Sequence, residues 1–166
     1  MNIKSIVTAL TLLAAANANA TILSDWQGNW QGQCQFQAPG STDIESIPIT
    51  IDILPLNANE ITFTMNHMRA TGDEVRDYII RGIDPATGHY VTDEQNGILI
   101  DQYLRQNRLM QNFEVNGRNV TIVLELNGNM LNRSAYSFGT SSERRFRKQG
   151  VTVYGEPSLD ACVLTR

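Results

Sequence analysis

The chain has 166 residues, of which 42% are hydrophobic, and this length suits one domain with a sizeable core. Its 13 basic and 17 acidic side chains give a net charge of −4. That balance argues against a nucleic-acid binder, whose affinity depends on neutralising phosphates. After the N-terminal region, no stretch is apolar enough over the length needed to span a membrane. We therefore expect neither a nucleic-acid partner nor a transmembrane segment in the mature chain.

The first twenty residues have the pattern of an export signal. A short basic start at residues 1–4 precedes an apolar run at residues 6–16, and Ala18-Asn19-Ala20 is a small-x-small cleavage site. The sequence predicts cleavage after Ala20, a single domain over residues 21–166, and a periplasmic or secreted location. The alternative is an N-terminal buried or membrane-spanning helix, although the apolar run is too short to cross a bilayer.

Most of the remaining chain alternates apolar and polar residues with the period of two that is typical of β-strands. Asn-Gly pairs at 96–97, 116–117 and 127–128 predict tight hairpin turns between such strands. The segment 97–115 is ambiguous between two strands turning near Gln106-Asn107, one bent strand, and a helix. The predicted strands are 29–37, 46–54, 60–67, 74–83, 89–94, 98–104, 108–115, 119–126, 130–138, 151–155 and a short one near 160–165.

Turns this frequent leave no room for crossover helices, so the sheet is predicted to be an antiparallel meander. Closing into a barrel would remove the exposed edges of such a sheet. We therefore predict an all-β fold with a barrel of about eight to ten strands, with a β-sandwich as the alternative.

The two cysteines, Cys34 and Cys162, lie near the two ends of the predicted domain. In an exported protein such a pair predicts a disulfide, which would join the first strand to the last. The alternative is two buried thiols. A redox-active pair is not expected, because there is no C-x-x-C spacing.

Gly28-Asn29-Trp30 opens the first long strand and resembles the G-x-W signature of the calycin barrels, which include lipocalins and nitrobindin-like proteins. The extension to Gly32 is most similar to the nitrobindin-like pattern. The resemblance implies that Trp30 plugs the closed end of a calycin-type barrel. It also implies that an arginine from a late strand covers this tryptophan. The candidates for that arginine are Arg144, Arg145 and Arg147.

No metal or catalytic motif is recognisable, so no metal site, catalytic residue or cofactor is predicted. His67 and His89 are interpreted as surface or cross-strand polar groups, and neither matches the nitrobindin haem ligand in position. The carboxylates around residues 73–84 are interpreted as a solvated strand with cross-strand arginine partners, and a glycosidase-like pair is the alternative. The basic cluster at 144–148 is either a docking site or a solvated hairpin.

These patterns predict an exported, non-enzymatic protein that holds a small apolar or amphipathic ligand inside the barrel. The alternative is a cell-envelope protein-interaction module or hydrolase inhibitor with a filled barrel and a protein partner. Enzymatic activity is left open, with a non-enzymatic role favoured. From strand parity, the ligand-binding residues are predicted to be Phe63, Met65, Met110, Phe113 and Tyr136.

Overall fold

Ten antiparallel strands form a closed barrel in the computed structural model, which describes residues 22–146 and 150–166. Strands β10 and β11 form a separate hairpin, and the barrel order is β1-β12-β9-β8-β7-β6-β5-β4-β3-β2. In chain order the strands are β1 (Gly28–Gln37), β2 (Glu45–Asn57), β3 (Glu60–Arg69), β4 (Gly72–Asp84), β5 (His89–Asp93), β6 (Leu99–Arg105), β7 (Arg108–Val115), β8 (Arg118–Asn127), β9 (Met130–Gly139), β10 (Ser142–Phe146), β11 (Val151–Tyr154) and β12 (Ser158–Thr165).

The predicted all-β antiparallel barrel is confirmed, and the β-sandwich alternative is wrong. Strands β6 and β7 turn at Gln106-Asn107, so the helix considered for residues 97–115 is also wrong. Asn116 and Gly117 both have positive φ angles, as a type I′ hairpin turn requires. Strand β10 has no counterpart among the predicted strands, because its sequence is dominated by charge and lacks apolar alternation.

The core follows directly from the alternation of the strands. On β2, Ile47, Ile49, Ile51 and Ile53 are buried while the residues between them are not. Inward-facing residues on β1, β3, β4, β5, β7, β8, β9 and β12 also belong to the core. Each fully buried aliphatic side chain of this kind stabilises the fold by about 1.5–3 kcal/mol.

One end of the barrel is closed by a 3-10 turn, Ser24–Trp26, that lies against Trp30. Trp30 is fully buried, and its Nε1 donates a hydrogen bond to the Trp26 carbonyl at 3.0 Å. The Arg166 guanidinium lies 4.5 Å from the Trp30 ring centroid. It also donates to the carbonyls of Gln27 at 3.0 Å and Asp25 at 3.1 Å. The turn, the tryptophan and the arginine together seal this end.

The arginine that lies over Trp30 is therefore Arg166, which was not among the three candidates from the sequence. Arg144 and Arg145 belong to β10, which lies outside the barrel, and Arg147 lies outside the described residues. Arg166 reaches the tryptophan because β12 pairs with β1, with Thr165 opposite Gln31. The register between β1 and β12 therefore decides which arginine lies over Trp30, and the sequence alone did not reveal this register.

Cys34 and Cys162 form a disulfide, as predicted, between directly opposed positions of β1 and β12. The bridge therefore links the first barrel strand to the last across the closure of the barrel. Two other predictions lie outside the described part of the chain. They are the signal peptide at residues 1–20 and the role of the basic side chains at 144–148. No helix of the described residues is long and apolar enough to cross a membrane.

Candidate functional site

A cavity of about 200 Å³ lies inside the barrel towards the end opposite Trp30. Strand β1 runs from Trp30 at the closed end to Phe36, which lines the cavity. Inward-facing aliphatic and aromatic side chains of the surrounding strands form about half of the wall, and polar or charged side chains form the rest. Its principal apolar residues are Phe63, Met65, Ile80, Phe113, Ile122 and Leu124.

A short polar network lies among these apolar side chains. Gln111 Nε2 donates to Thr92 Oγ1 at 2.7 Å and to Gln102 Oε1 at 2.9 Å. Gln102 is 0% exposed, and its Nε2 has no hydrogen-bond partner among the described residues. An unpaired buried donor costs about 1–3 kcal/mol, so such atoms are rare in folded proteins. The cavity wall therefore contains a buried donor that lacks an acceptor among the described residues.

His67 is a second buried polar group on the cavity wall. It is 5% exposed, and neither ring nitrogen has a partner among the residues described. Its ring meets Phe36 edge-on, with centroids 5.7 Å apart. Burial lowers the pKa of His67, and the positive charge of Arg133 lowers it further. The imidazole is therefore neutral at pH 7, with one nitrogen donating and the other accepting.

The charged side chains that line the cavity are largely paired with one another. Arg133 donates to Asp160, and Arg76 donates to Glu74. Arg69 is 3.4 Å from the same Glu74 carboxylate. The hydrogen bond from Arg76 holds the pKa of Glu74 below its usual value, so this carboxylate is a weak base. These pairs give the mouth polar character without a surplus of one charge.

The structure brings three of the five predicted ligand-binding residues to the cavity, namely Phe63, Met65 and Phe113. Met110 and Tyr136 were wrongly placed in the interior: they lie on the outer surface and are 38% and 41% exposed. Met110 and Phe113 are three positions apart, so one regular strand cannot turn both inward. Met110 instead faces outward opposite Val123.

The interpretation of His67 as a surface or cross-strand group was wrong, because β3 turns this position into the cavity. His89 does lie on the outside, stacked on Tyr103 with ring centroids 4.9 Å apart. Sequence reasoning also missed Gln102 and Gln111. The available signal was a polar residue in an otherwise apolar inward series, as in Ile100, Gln102 and Leu104.

Among the described residues, the carboxylate and sulfur side chains do not form a metal site in addition to the cavity. Cys34, Asp160 and Cys162 come close together, but both sulfurs are already bonded to each other. Asp77 accepts a hydrogen bond from Thr64 across β3 and β4 on the exposed face. Of the acidic residues predicted at 73–84, Glu74 alone lines the cavity.

A wider groove lies at the closed end of the barrel. Leu23, Trp26, Tyr90 and Arg166 line it, and it is broadly open to solvent. Gln102 and His67, which carry unpaired buried side-chain atoms, line the interior cavity and not this groove. The interior cavity is therefore the stronger candidate for a specific ligand.

No protein-family model and no curated protein sequence matches the chain. Its structure is similar to the S-type phycobiliprotein lyase CPES from Guillardia theta, with a TM-score of 0.59 and 7% identity. That similarity covers 84% of this chain and 87% of the lyase. A DUF3598-family protein of unknown function from Nostoc punctiforme gives a TM-score of 0.59 and 13% identity. That similarity covers 92% of this chain and 53% of the DUF3598 protein.

A third structure, EF1p2_mFAP2b bound to DFHBI, has a TM-score of 0.41 and 8% identity, too remote to support an inference. The lyase and the DUF3598 protein are calycin-like barrels, so the predicted calycin-like fold is confirmed. At these identities the similarity shows the fold alone. Function has to be argued from the cavity itself.

Proposed function

We propose that this protein is an exported, non-enzymatic carrier or sensor that holds one small amphipathic molecule in the barrel cavity. The observation that carries the proposal is the coincidence of a partly apolar cavity with two buried polar groups that lack partners. A ligand whose polar atoms met Gln102 and His67 would relieve their unpaired state. Its apolar part would occupy the space between residues such as Phe63 and Phe113.

The size of the cavity sets the size of the ligand. An enclosed apolar cavity of about 150 Å³ accommodates benzene, whereas drug-sized ligands use pockets of about 300–1,000 Å³. A cavity of about 200 Å³ that opens at its mouth suits a molecule of one or two rings.

The charge pairing supports recognition in preference to proton transfer. The hydrogen bond from Arg76 holds the pKa of Glu74 below its usual value, which makes this carboxylate a weaker base, and Asp160 is paired with Arg133. The interaction-module alternative supposed a filled barrel, and the open cavity favours the carrier. The disulfide supports export, since such bonds persist in oxidising compartments.

The proposal is tested with the neutral two-ring fluorescent probe 6-acetyl-2-dimethylaminonaphthalene and two tryptophan variants of adjacent residues on β8. Ile122 lines the cavity, whereas its neighbour Val123 faces outward opposite Met110. We expect probe fluorescence to rise on binding to the wild type and to Val123→Trp. We expect Ile122→Trp, which fills the cavity, to abolish the rise.

Equal binding by both variants would contradict a site inside the barrel, and no binding by the wild type would contradict the carrier role. Far-UV circular dichroism of both variants checks that each still folds. The intact mass of the protein purified from its native compartment tests export separately. We expect a chain that begins at Thr21.

A further inference from the structure

We infer that the ligand is an uncharged, flat molecule with a carbonyl-type acceptor, and that Gln102 Nε2 donates to this acceptor. The inference rests on the proposed function and specifies the ligand class for the same cavity. It draws on three observations: the state of the Gln102 amide, the balance of charge around the cavity, and the aromatic side chains of the wall.

Gln102 presents one free donor at a fixed place. Its Oε1 already accepts from Gln111 Nε2, and Gln111 is itself held by Thr92. The two glutamines face each other on β6 and β7, so the network is anchored on adjacent strands. An amide nitrogen donates and does not accept. The ligand atom opposite it is therefore an acceptor, for which a carbonyl oxygen is well suited.

The charges around the cavity cancel. Three arginines line it, and three carboxylates oppose them; the six residues are Arg69, Arg76, Arg133, Glu74, Glu94 and Asp160. Glu94 accepts a hydrogen bond from Asn96 at 3.3 Å. A charged ligand would lose its hydration without meeting a free countercharge inside the barrel, and that loss is costly. An uncharged ligand avoids it.

The walls near the mouth are aromatic. Phe63 and Tyr78 are inclined at 49° with ring centroids 6.3 Å apart, and Phe36 meets His67. Rings of this kind bind flat molecules through offset or edge-to-face contacts. Together with the cavity volume, this favours a compact ring system that carries the acceptor as a substituent.

Three probes of similar size test the inference by isothermal titration calorimetry: 2-acetylnaphthalene, 2-ethylnaphthalene and 2-naphthoate. We expect the ketone to bind about two- to tenfold more tightly than the ethyl compound, which is what one neutral hydrogen bond supplies. We expect the anion to bind more weakly than the ketone. Equal affinity of the ketone and the ethyl compound, or tighter binding of the anion, would overturn the inference and leave the carrier function standing.

Gln102→Met identifies the donor, and Gln35→Met on the exposed face of β1 is the matched control. We expect Gln102→Met to remove the preference for the ketone over the ethyl compound and the control to keep it. An unchanged preference in Gln102→Met would overturn the assignment of the donor. Failure of all three probes to bind the folded wild type would overturn the carrier function and, with it, the inference.

Discussion

Gly32 lies where the backbone of β12 passes closest to β1. A Cβ at this position would overlap the Val163 carbonyl oxygen and lie 2.8 Å from the Leu164 Cα. Both neighbours are backbone atoms of a paired strand, so neither can move aside without disturbing the barrel. Crowding by the backbone of β12 therefore explains why Gly32, the second glycine of the Gly28-x-Trp30-x-Gly32 pattern, carries no side chain. This explanation does not involve a ligand.

Gly32→Ala is expected to destabilise the protein by about 1–3 kcal/mol, the usual effect of overpacking a tight site. The measurement is the urea concentration at the midpoint of unfolding. The variants are compared with wild type at an unchanged m-value, the slope of the unfolding free energy against urea concentration. Gly139→Ala is the control, because a Cβ there meets nothing within 4 Å and its φ is ordinary. A Gly32→Ala midpoint equal to that of the control would show that the two strands can separate freely.

His67 is expected to make the fold less stable in mild acid. Arg133, Asp160, Glu74 and Arg69 face it from β9, β12, β4 and β3, and burial is the main reason that its pKa is lowered from 6.5. The unfolded chain therefore binds a proton as the pH falls through 6.5, before the folded chain does. Stability present above pH 6.5 declines until the pH reaches the lower folded pKa.

Urea unfolding at several pH values between 7.5 and 5 measures this decline. The carboxylates Glu60, Glu74 and Glu125 have pKa values below 4.5, so their contributions are lost at lower pH. His67→Gln should flatten the pH dependence, because it removes the buried imidazole. If the stability of His67→Gln still declines between pH 7.5 and 5, the decline is caused by another group.

At the scale of elements, the closing turn Ser24–Trp26 lies outside the strands of the barrel and is held in part by side chains from elsewhere in the chain. Arg166 connects it to β12 through two carbonyls and the face of Trp30. The planar guanidinium can make these contacts at once, whereas an ammonium cannot reproduce the fork or the stacking. The seal of the barrel end therefore depends on one arginine.

Arg166→Ala is expected to lower the free energy of unfolding by about 1–2 kcal/mol, because it removes charge-assisted hydrogen bonds and a cation–π contact. Arg166→Lys should recover part of this loss at most. Thermal unfolding monitored by tryptophan fluorescence measures both. If Arg166→Lys were as stable as the wild type, a positive charge alone would hold the turn, and the planar geometry of the guanidinium would not be needed.

At the scale of the whole molecule, the barrel closes between β1 and β12, the two strands furthest apart in the chain. The Cys34–Cys162 bridge lies in this closing pair and spans 128 residues. A cross-link of that length strongly restricts the unfolded chain, and it keeps the ends of the meander together. The hairpin β10–β11 has no place in the closed sheet.

Removing the bridge by the double change Cys34→Ala and Cys162→Ala is expected to reduce stability by about 2–5 kcal/mol. Chemical denaturation of the oxidised wild type, the reduced wild type and the double variant measures the effect. The reduced wild type and the variant should agree closely. A variant as stable as the oxidised protein would show that strand pairing alone secures the closure.

The sequence by itself determined the ten strands of the barrel, the hairpin turns between them, the disulfide pair and the all-β class. These features depend on local period and local turn chemistry, as at Asn116-Gly117 and in the isoleucines of β2. It did not determine which face of β7 or β9 is inside, because apolar residues such as Leu109 and Met110 stand next to each other.

Only the tertiary structure decided the interior side chains and the arginine of the closed end. A period of two shows that successive side chains of a strand point to opposite faces, but it does not show which face is inside the barrel. A slip of one residue exchanges the two faces. The register between strands sets which face is inside and brings together residues distant in the chain, such as Gln102 with Gln111 and Arg166 with Trp30. The cavity therefore follows from strand pairing and closure, which no local stretch of sequence encodes.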